Sequence, residues 1–315
     1  MVGLDFEKPI VELEKKIQDL RAFISDKRID LSSEVKRLED KLEHLKKDTY
    51  TNLSAWQRVQ LARHPARPYT LDYINYIMSD FIEIHGDRLF SDDKAIVAGL
   101  AKIDKEKIVI IGHQKGRDTK DNLKRNFGCA HPEGYRKALR VMEMAQEFDL
   151  PVVIFIDTPG AYPGIGAEER GQSQAIALNL REMASIATPI ISIVIGEGGS
   201  GGALGVGVAD RISVLENSYY SVISPEGCAA ILWKDGAKAP LAAEVLKLTG
   251  DDLINLKIID EIIPEPLGGA HKDPQKTAQN LKNYILKNLK ELKALSKEQL
   301  LESRYKKFRT MGVVA

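Results

Sequence analysis

Cysteine is almost missing from this chain. Cys129 and Cys228 are the only two among 315 residues, which suits a reducing compartment and excludes a four-cysteine zinc site built from this chain alone. Charge of one sign is missing too. The 45 basic and 45 acidic residues leave a formal net charge of zero, so no global basic field exists to hold nucleic acid or an anionic membrane. No uninterrupted apolar run approaches the roughly 18 residues of a membrane span. Residues 1–10 carry Asp5, Glu7 and Lys8 where a secretion signal would have its apolar core. The expectation is a soluble, cytoplasmic protein with neither nucleic acid nor membrane as partner. The six histidines, His44, His64, His85, His113, His131 and His271, show no His-x-x-x-His spacing, so zinc catalysis has no support and no metal is expected.

What is present begins with helical periodicity. Ile10, Leu13, Ile17, Leu20 and Ile24 recur at threes and fours among charged residues, and after a polar break over 25–30 the spacing resumes at Val35, Leu38, Leu42 and Leu45. This reads as an amphipathic hairpin, too short in heptads for a coiled coil. The segment 1–62 is taken as that hairpin region, with a proline-and-arginine boundary at 63–68. A core spans 63–269 and a lysine-rich helical tail 270–315. Within the core, the spacing of Leu71, Ile74, Ile77, Met78 and Phe81 predicts a helix over 69–84. Strands follow at 95–103 and 108–111 around a polar turn. Helices at 132–148, 168–186 and 202–209 then alternate with strands at 152–156, 190–195 and 211–215. Alternation of this kind means βαβ units, short apolar strands covered on both faces, and ligands at the carboxyl ends of strands.

Two such strand ends stand out. Gly196, Gly198, Gly199, Gly201, Gly202, Gly205 and Gly207 crowd the stretch after the strand at 190–195. A strand, a glycine turn and a helix start leave main-chain amides bare, a setting for an anionic oxygen. A nucleotide phosphate is disfavoured because the P-loop lysine is lacking: Gly202 is followed by Ala203 and Leu204, and no lysine lies between Gly196 and Asp210. The plain alternative is that glycine merely allows a helix to pack closely on the sheet, which accounts for two or three of the seven. The stretch 198–202 also meets Gly-x-Ser-x-Gly formally, so a serine hydrolase at Ser200 stays open. The second strand end, 157–171, holds two prolines and four glycines. There Asp157 is either a Mg²⁺ ligand or a loop brace, and Glu168 and Glu169 are either bases or partners of a helix dipole. Lys115, Arg117, Lys120, Lys124 and Arg125 form either a solvated loop or a site for phosphates or an acidic carrier.

Several long strings together carry a resemblance. They are Gly112-His113-Gln114-Lys115-Gly116-Arg117-Asp118, Asn126-Phe127-Gly128-Cys129-Ala130-His131-Pro132, Ser221-Val222-Ile223-Ser224-Pro225-Glu226-Gly227 and Glu265-Pro266-Leu267-Gly268-Gly269, with the segments 157–171 and 196–204. They resemble the family of alpha subunits of bacterial acetyl-CoA carboxylase carboxyltransferase, nearly end to end. The resemblance implies an α/β, crotonase-like (ClpP/crotonase) fold of repeated ββα units, with an N-terminal helical hairpin and C-terminal helices. It implies transfer of a carboxyl group from carboxybiotin, on a biotin carboxyl carrier protein, to acetyl-CoA, giving malonyl-CoA for fatty acid synthesis. A beta subunit with a zinc ribbon is the implied partner in an α2β2 assembly, with biotin carboxylase in the full complex. Acetyl-CoA would be held mainly by beta and carboxybiotin mainly by alpha. By the same resemblance the backbone amides of Gly201, Gly202 and Ala203 form an oxyanion hole for the biotin oxygen. Gly198, Gly199, Gly164, Ile165 and Gly166 would bind substrate, and the released biotin anion is a candidate base. The other readings to be tested are a subunit of a biotin-dependent acyl-CoA decarboxylase and a non-enzymatic scaffold.

Overall fold

The computed structural model describes residues 4–27 and 31–312. Two amphipathic helices come first, α1 (Lys8–Lys27) and α2 (Ser32–Thr51). Ile17, Val35 and Leu38 close the seam between them, flanked by Leu13, Leu20, Ile24 and Leu42, as the spacing of threes and fours requires. Part of the polar break, residues 28–30, lies outside the described residues, as do 1–3 and 313–315. The hairpin is closed at its open end by the Tyr50 hydroxyl, which donates to Glu7 Oε1 at 2.5 Å, and it meets the body at the same oxygen, 3.6 Å from Lys272 Nζ. Helices α3 (Ala55–Ala62) and α4 (Thr70–Ile77) then lead into the sheet.

The helix expected over 69–84 is shorter than its periodicity suggests. It stops at Ile77, and β1 (Ser79–Glu83) pairs antiparallel with β2 (Ile96–Ile103). Asp80 takes a left-handed φ of 53° at the switch. Met78 and Phe81 still reach the same apolar cluster as Ile74 and Ile77, so the core accepts these side chains from an edge strand as readily as from a helix. Next come β3 (Glu106–His113), α5 (Thr119–Lys124), α6 (Pro132–Glu147) and β4 (Val152–Thr158). The helix expected over 168–186 is two helices, α7 (Ile165–Glu169) and α8 (Gln172–Ser185), parted by Gly171 at φ 81°. Strand β5 (Ile190–Gly199) runs four residues past the expected 195, into the glycines, and α9 (Ser200–Leu204) is a single turn where 202–209 was expected. After β6 (Arg211–Leu215) and β7 (Tyr219–Ser221) come α10 (Pro225–Trp233), α11 (Ala239–Leu246), α12 (Gly250–Asn255) and β8 (Glu261–Ile263). The tail is two helices, α13 (Pro274–Leu292) and α14 (Lys297–Thr310).

The sheet order is β1-β2-β3-β4-β5-β6-β8, with β7 beside β5. The first three strands are antiparallel and the rest parallel. Side chains of β4 alternate between two cores: Val152, Ile154 and Ile156 face a cluster with Tyr135, Val141 and Met142 of α6, while Val153 and Phe155 face one with Leu281 and Ile285 of α13. Burial on both faces is why these strands read as unbroken apolar runs. The central strands β4 and β5 therefore end side by side, at Thr158 and Gly199.

Candidate active site at the ends of the two central strands

The two strands do not end in step. They pair regularly from Val152↔Ile190 to Ile156↔Val194, and the next pair is Thr158↔Gly198, so β5 spends four residues where β4 spends two. The slip leaves room between the strands, and the Asp157 carboxylate fills it. Asp157 Oδ1 accepts the Glu197 amide at 2.9 Å and Lys115 Nζ at 2.7 Å, and Lys115 Nζ also donates to Glu197 Oε1 at 2.8 Å. A Cβ at Gly196 would lie 2.5 Å from that Asp157 oxygen, so glycine is required there.

Beyond the slip, main chain presses on main chain. A Cβ at Gly199 would lie 2.2 Å from the Pro159 carbonyl oxygen, and one at Gly202 would lie 2.4 Å from the Gly160 carbonyl carbon and 2.6 Å from the Ala161 nitrogen. Gly201 faces only Ile176 Cδ1, at 3.6 Å. Ser200, exposed and at φ 52°, turns strand into helix within one residue. The amides of Gly201 and Gly202 lie in the first three positions of α9, where an N–H has no intrahelical acceptor, and that of Ala203 follows at the fourth. Close packing alone explains Gly196, Gly199 and Gly202. It does not explain bare amides at the end of a parallel strand. Gly198 lies in β5 itself, a Cβ there meeting the Tyr220 ring at 2.9 Å. Gly164, Ile165 and Gly166 are separate from this contact, at the start of the neighbouring α7, where Ile165 is 78% exposed.

Two cavities flank the strand ends. One, of about 480 Å³, is apolar and is lined by Ser200, Gly201, Leu204, Tyr220, Val222 and Phe308 among others. The other, of about 370 Å³, has charged groups in its wall, Arg63, Lys115 and Glu197, beside Tyr69, Phe127 and Pro159. Glu197 anchors the polar side: Arg63 Nε and the Tyr219 hydroxyl both donate to its Oε2 at 2.7 Å, and Arg63 Nη1 reaches Glu226 Oε1 at 2.5 Å. Burial alone would raise the Glu197 pKa, but the Lys115 ammonium and the Arg63 guanidinium overcome it and hold the group down at about 2. His113, wholly buried and next to that ammonium, is pushed down to about 3, burial being the larger cause.

Several expectations change here. Lys115 belongs to neither a solvated loop nor a phosphate site, since two carboxylates hold it in the interior. Arg117 pairs with Asp72 and lies over the Tyr69 ring at 3.9 Å. Lys120 and Lys124 are exposed on α5, and Arg125 pairs with Asp121. Asp157 is the loop brace of its two readings. Glu168 and Glu169 are exposed on α7 rather than opening the long helix. Ser200 has the strand–turn–helix backbone of a nucleophile elbow, but among the described residues no hydrogen bond joins it to a histidine. The Lys115–Asp157–Glu197 cluster escaped the sequence reading. Its signal was a carboxylate, Glu197, set inside a glycine-rich strand end where an unpaired charge would be costly.

A mixed sheet whose parallel central strands lead to single-turn helices with bare amides defines a crotonase-like α/β protein. Solved structures share this fold at low identity. The beta subunit of P. aeruginosa geranyl-CoA carboxylase aligns with a TM-score of 0.56 and 16% identity over 78% of this chain and 46% of its own. Transcarboxylase 12S aligns with a TM-score of 0.54 and 19% identity over 68% of this chain and 41% of its own. A Pseudomonas malonate decarboxylase hetero-tetramer aligns with a TM-score of 0.55 and 16% identity, over 68% and 85%. In sequence, residues 3–312 match the acetyl co-enzyme A carboxylase carboxyltransferase-like family, and the chain belongs to it. Its relatives include the acetyl-coenzyme A carboxylase carboxyl transferase subunit alpha of Geobacter metallireducens, 61% identical over 98% of this chain and 97% of that one. The protein of the same name from Thermus thermophilus is 56% identical over 99% of both.

Proposed function

We propose that this chain is the alpha subunit of acetyl-CoA carboxylase carboxyltransferase and that its catalytic element is the main chain of Gly201, Gly202 and Ala203. Names shared by relatives at 56–61% identity over nearly their whole length support the activity. The observation that carries the site is the fit of α9 against Gly160 and Ala161, which holds the start of α9, with the amides of Gly201 and Gly202 bare, at the end of the central strand.

Carboxybiotin, brought by its carrier protein, supplies the carboxyl group and leaves negative charge on its ureido oxygen. The three amides meet that charge. They are fixed before the reaction by the contact at Gly202, and the partial positive end of α9 adds to their field. One such donor contributes about 3 kcal/mol of barrier lowering. The residues present fit the group: the apolar cavity walled by Leu204, Tyr220 and Val222 opens directly beside Gly201 and gives the biotin rings an apolar surface. Gly198 and Gly199 keep the approach narrow, and Gly164, Ile165 and Gly166 offer a further substrate contact on α7.

No side chain of this chain is assigned as base. The acyl-CoA half of the site is assigned to a beta subunit with a zinc ribbon in an α2β2 assembly, working with biotin carboxylase in the full complex. Residues 63–269 carry the chemistry in this reading, with 1–62 and 270–315 serving assembly. A cytoplasmic location accords with the lack, among the described residues, of any helix long and apolar enough to cross a membrane.

The test is the reverse reaction, in which this chain and its beta partner are given malonyl-CoA and biocytin. Carboxyl transfer to biocytin is expected from the mixture and from neither chain alone. A decarboxylase carboxyltransferase subunit would also carboxylate biocytin, so that reading is told apart by the donor: a marked preference for another acyl-CoA over malonyl-CoA would favour it. Full activity of Gly202→Val in the mixture would remove the amides from the mechanism and restore the scaffold reading.

A further inference from the structure

We infer that Lys115 is a positioning residue for the amide turn: its ammonium ties the ends of β4 and β5 together and so sets where Gly201, Gly202 and Ala203 stand. This rests on the role proposed for those amides. Lys115 lies at the carboxyl end of β3, yet its Nζ bonds Asp157 of β4 and Glu197 of β5. Those two residues lie within the register slip, and the slip is what carries Gly199 and Gly202 into contact with Pro159, Gly160 and Ala161.

Two carboxylates buried side by side would repel each other and open the slip. One cation between them closes it. The stem of Lys115 is held as firmly as its head. Asn126, Phe127 and Gly128 take consecutive left-handed φ values of 48°, 56° and 82°, and this strained turn lays Gly128 so close that a Cβ there would stand 3.0 Å from Lys115 Cγ and 3.0 Å from the Asp157 carbonyl oxygen. Bulky non-glycine residues adopt such a backbone only where the surroundings impose it. Arg63 and Tyr219 fix the far oxygen of Glu197, so the carboxylate cannot turn away from the ammonium. Nothing in the cluster reaches the amides directly, and Lys115 acts through strand register.

The experiment uses the reconstituted alpha–beta complex in the malonyl-CoA and biocytin assay, with thermal melting and assembly followed in parallel. Lys115→Met is compared with Arg304→Met, which removes a buried cation from a different pair, Arg304–Asp210. A misplaced turn lowers kcat by about 100-fold at an unchanged KM for malonyl-CoA in Lys115→Met, while Arg304→Met of similar melting temperature keeps its kcat. Equal kcat losses in the two variants, or an undiminished kcat in folded Lys115→Met, overturn the inference. Should Lys115→Met fail to assemble, Glu197→Gln decides: a lower kcat at unchanged KM supports the tie, and an unchanged kcat refutes it. Gly202→Val runs alongside. If it is fully active, the amide role itself fails; if it is inactive while Lys115→Met is active, only the positioning role does.

Discussion

Gly201 and Gly202 are neighbours with opposite tolerances. A methyl at 202 would collide with the backbone of Gly160 and Ala161, whereas one at 201 would make an ordinary contact with Ile176. Gly202→Ala is therefore expected to lower carboxyl transfer by about 100-fold, the scale of a lost oxyanion donor, and Gly201→Ala by far less. Initial rates of the assembled complex check this, and equal losses would refute the close-contact account. His113 sets an acid limit. Its folded pKa is about 3 against a reference of 6.5, so between those values the unfolded chain binds the extra proton and folding weakens as pH falls. The stability is fully present above 6.5 and declines by about 1.4 kcal/mol per pH unit below it. Glu197, depressed to about 2 from 4.5, adds a second loss as pH falls through 4.5. Melting temperature of the chain from pH 7.5 to 4 should drop, and His113→Gln should flatten the drop between 6.5 and 4.5. An equal slope in the variant would exonerate the imidazole.

Among the elements, α14 shows what periodicity leaves hidden. Arg304 looks like one more charge in a lysine-rich tail, yet it is wholly buried. It donates to both oxygens of Asp210 at 2.8 and 2.7 Å and to the carbonyls of Met183, Ile186 and Thr188 at 2.7 to 3.0 Å. Removing one partner of such a pair costs about 3–5 kcal/mol, so Arg304→Met should lower the urea midpoint by the corresponding amount. A shift below a quarter of that would mean α14 is held mainly by its apolar face. The central strands were legible because Val and Ile runs have few other uses. The last four residues of β5 were not, since glycine disfavours strands and only pairing with Thr158 and β7 holds them extended. Strands β7 and β8, three residues each, are too short to show a period. In the site, the glycines and their bare amides could be read from the string itself. The tie beneath them could not, because Lys115 and Glu197 are 82 residues apart and only the fold brings them together.

On the scale of the whole molecule, the hairpin is nearly a separate object. Its apolar seam is its own, while Ala55, Val59 and Ala62 of the following helix belong to a cluster with Tyr219, Ala243 and Leu248 of the body. A chain lacking residues 1–51 should keep a cooperative melt, lowered by a few degrees through loss of the contact between Lys272 and Glu7. Loss of the cooperative transition would show that the hairpin is part of the folding unit.

Because the groups assigned to catalysis are peptide nitrogens, no codon change short of proline can delete them. The glycines that expose them at 199 and 202 have backbone within 2.4 Å of any added carbon, which closes the usual routes by which a pocket reshapes itself. An inhibitor that hydrogen-bonds only to these amides would meet a target with little genetic room to escape, and resistance selected against it should map to the apolar cavity or to the partner chain.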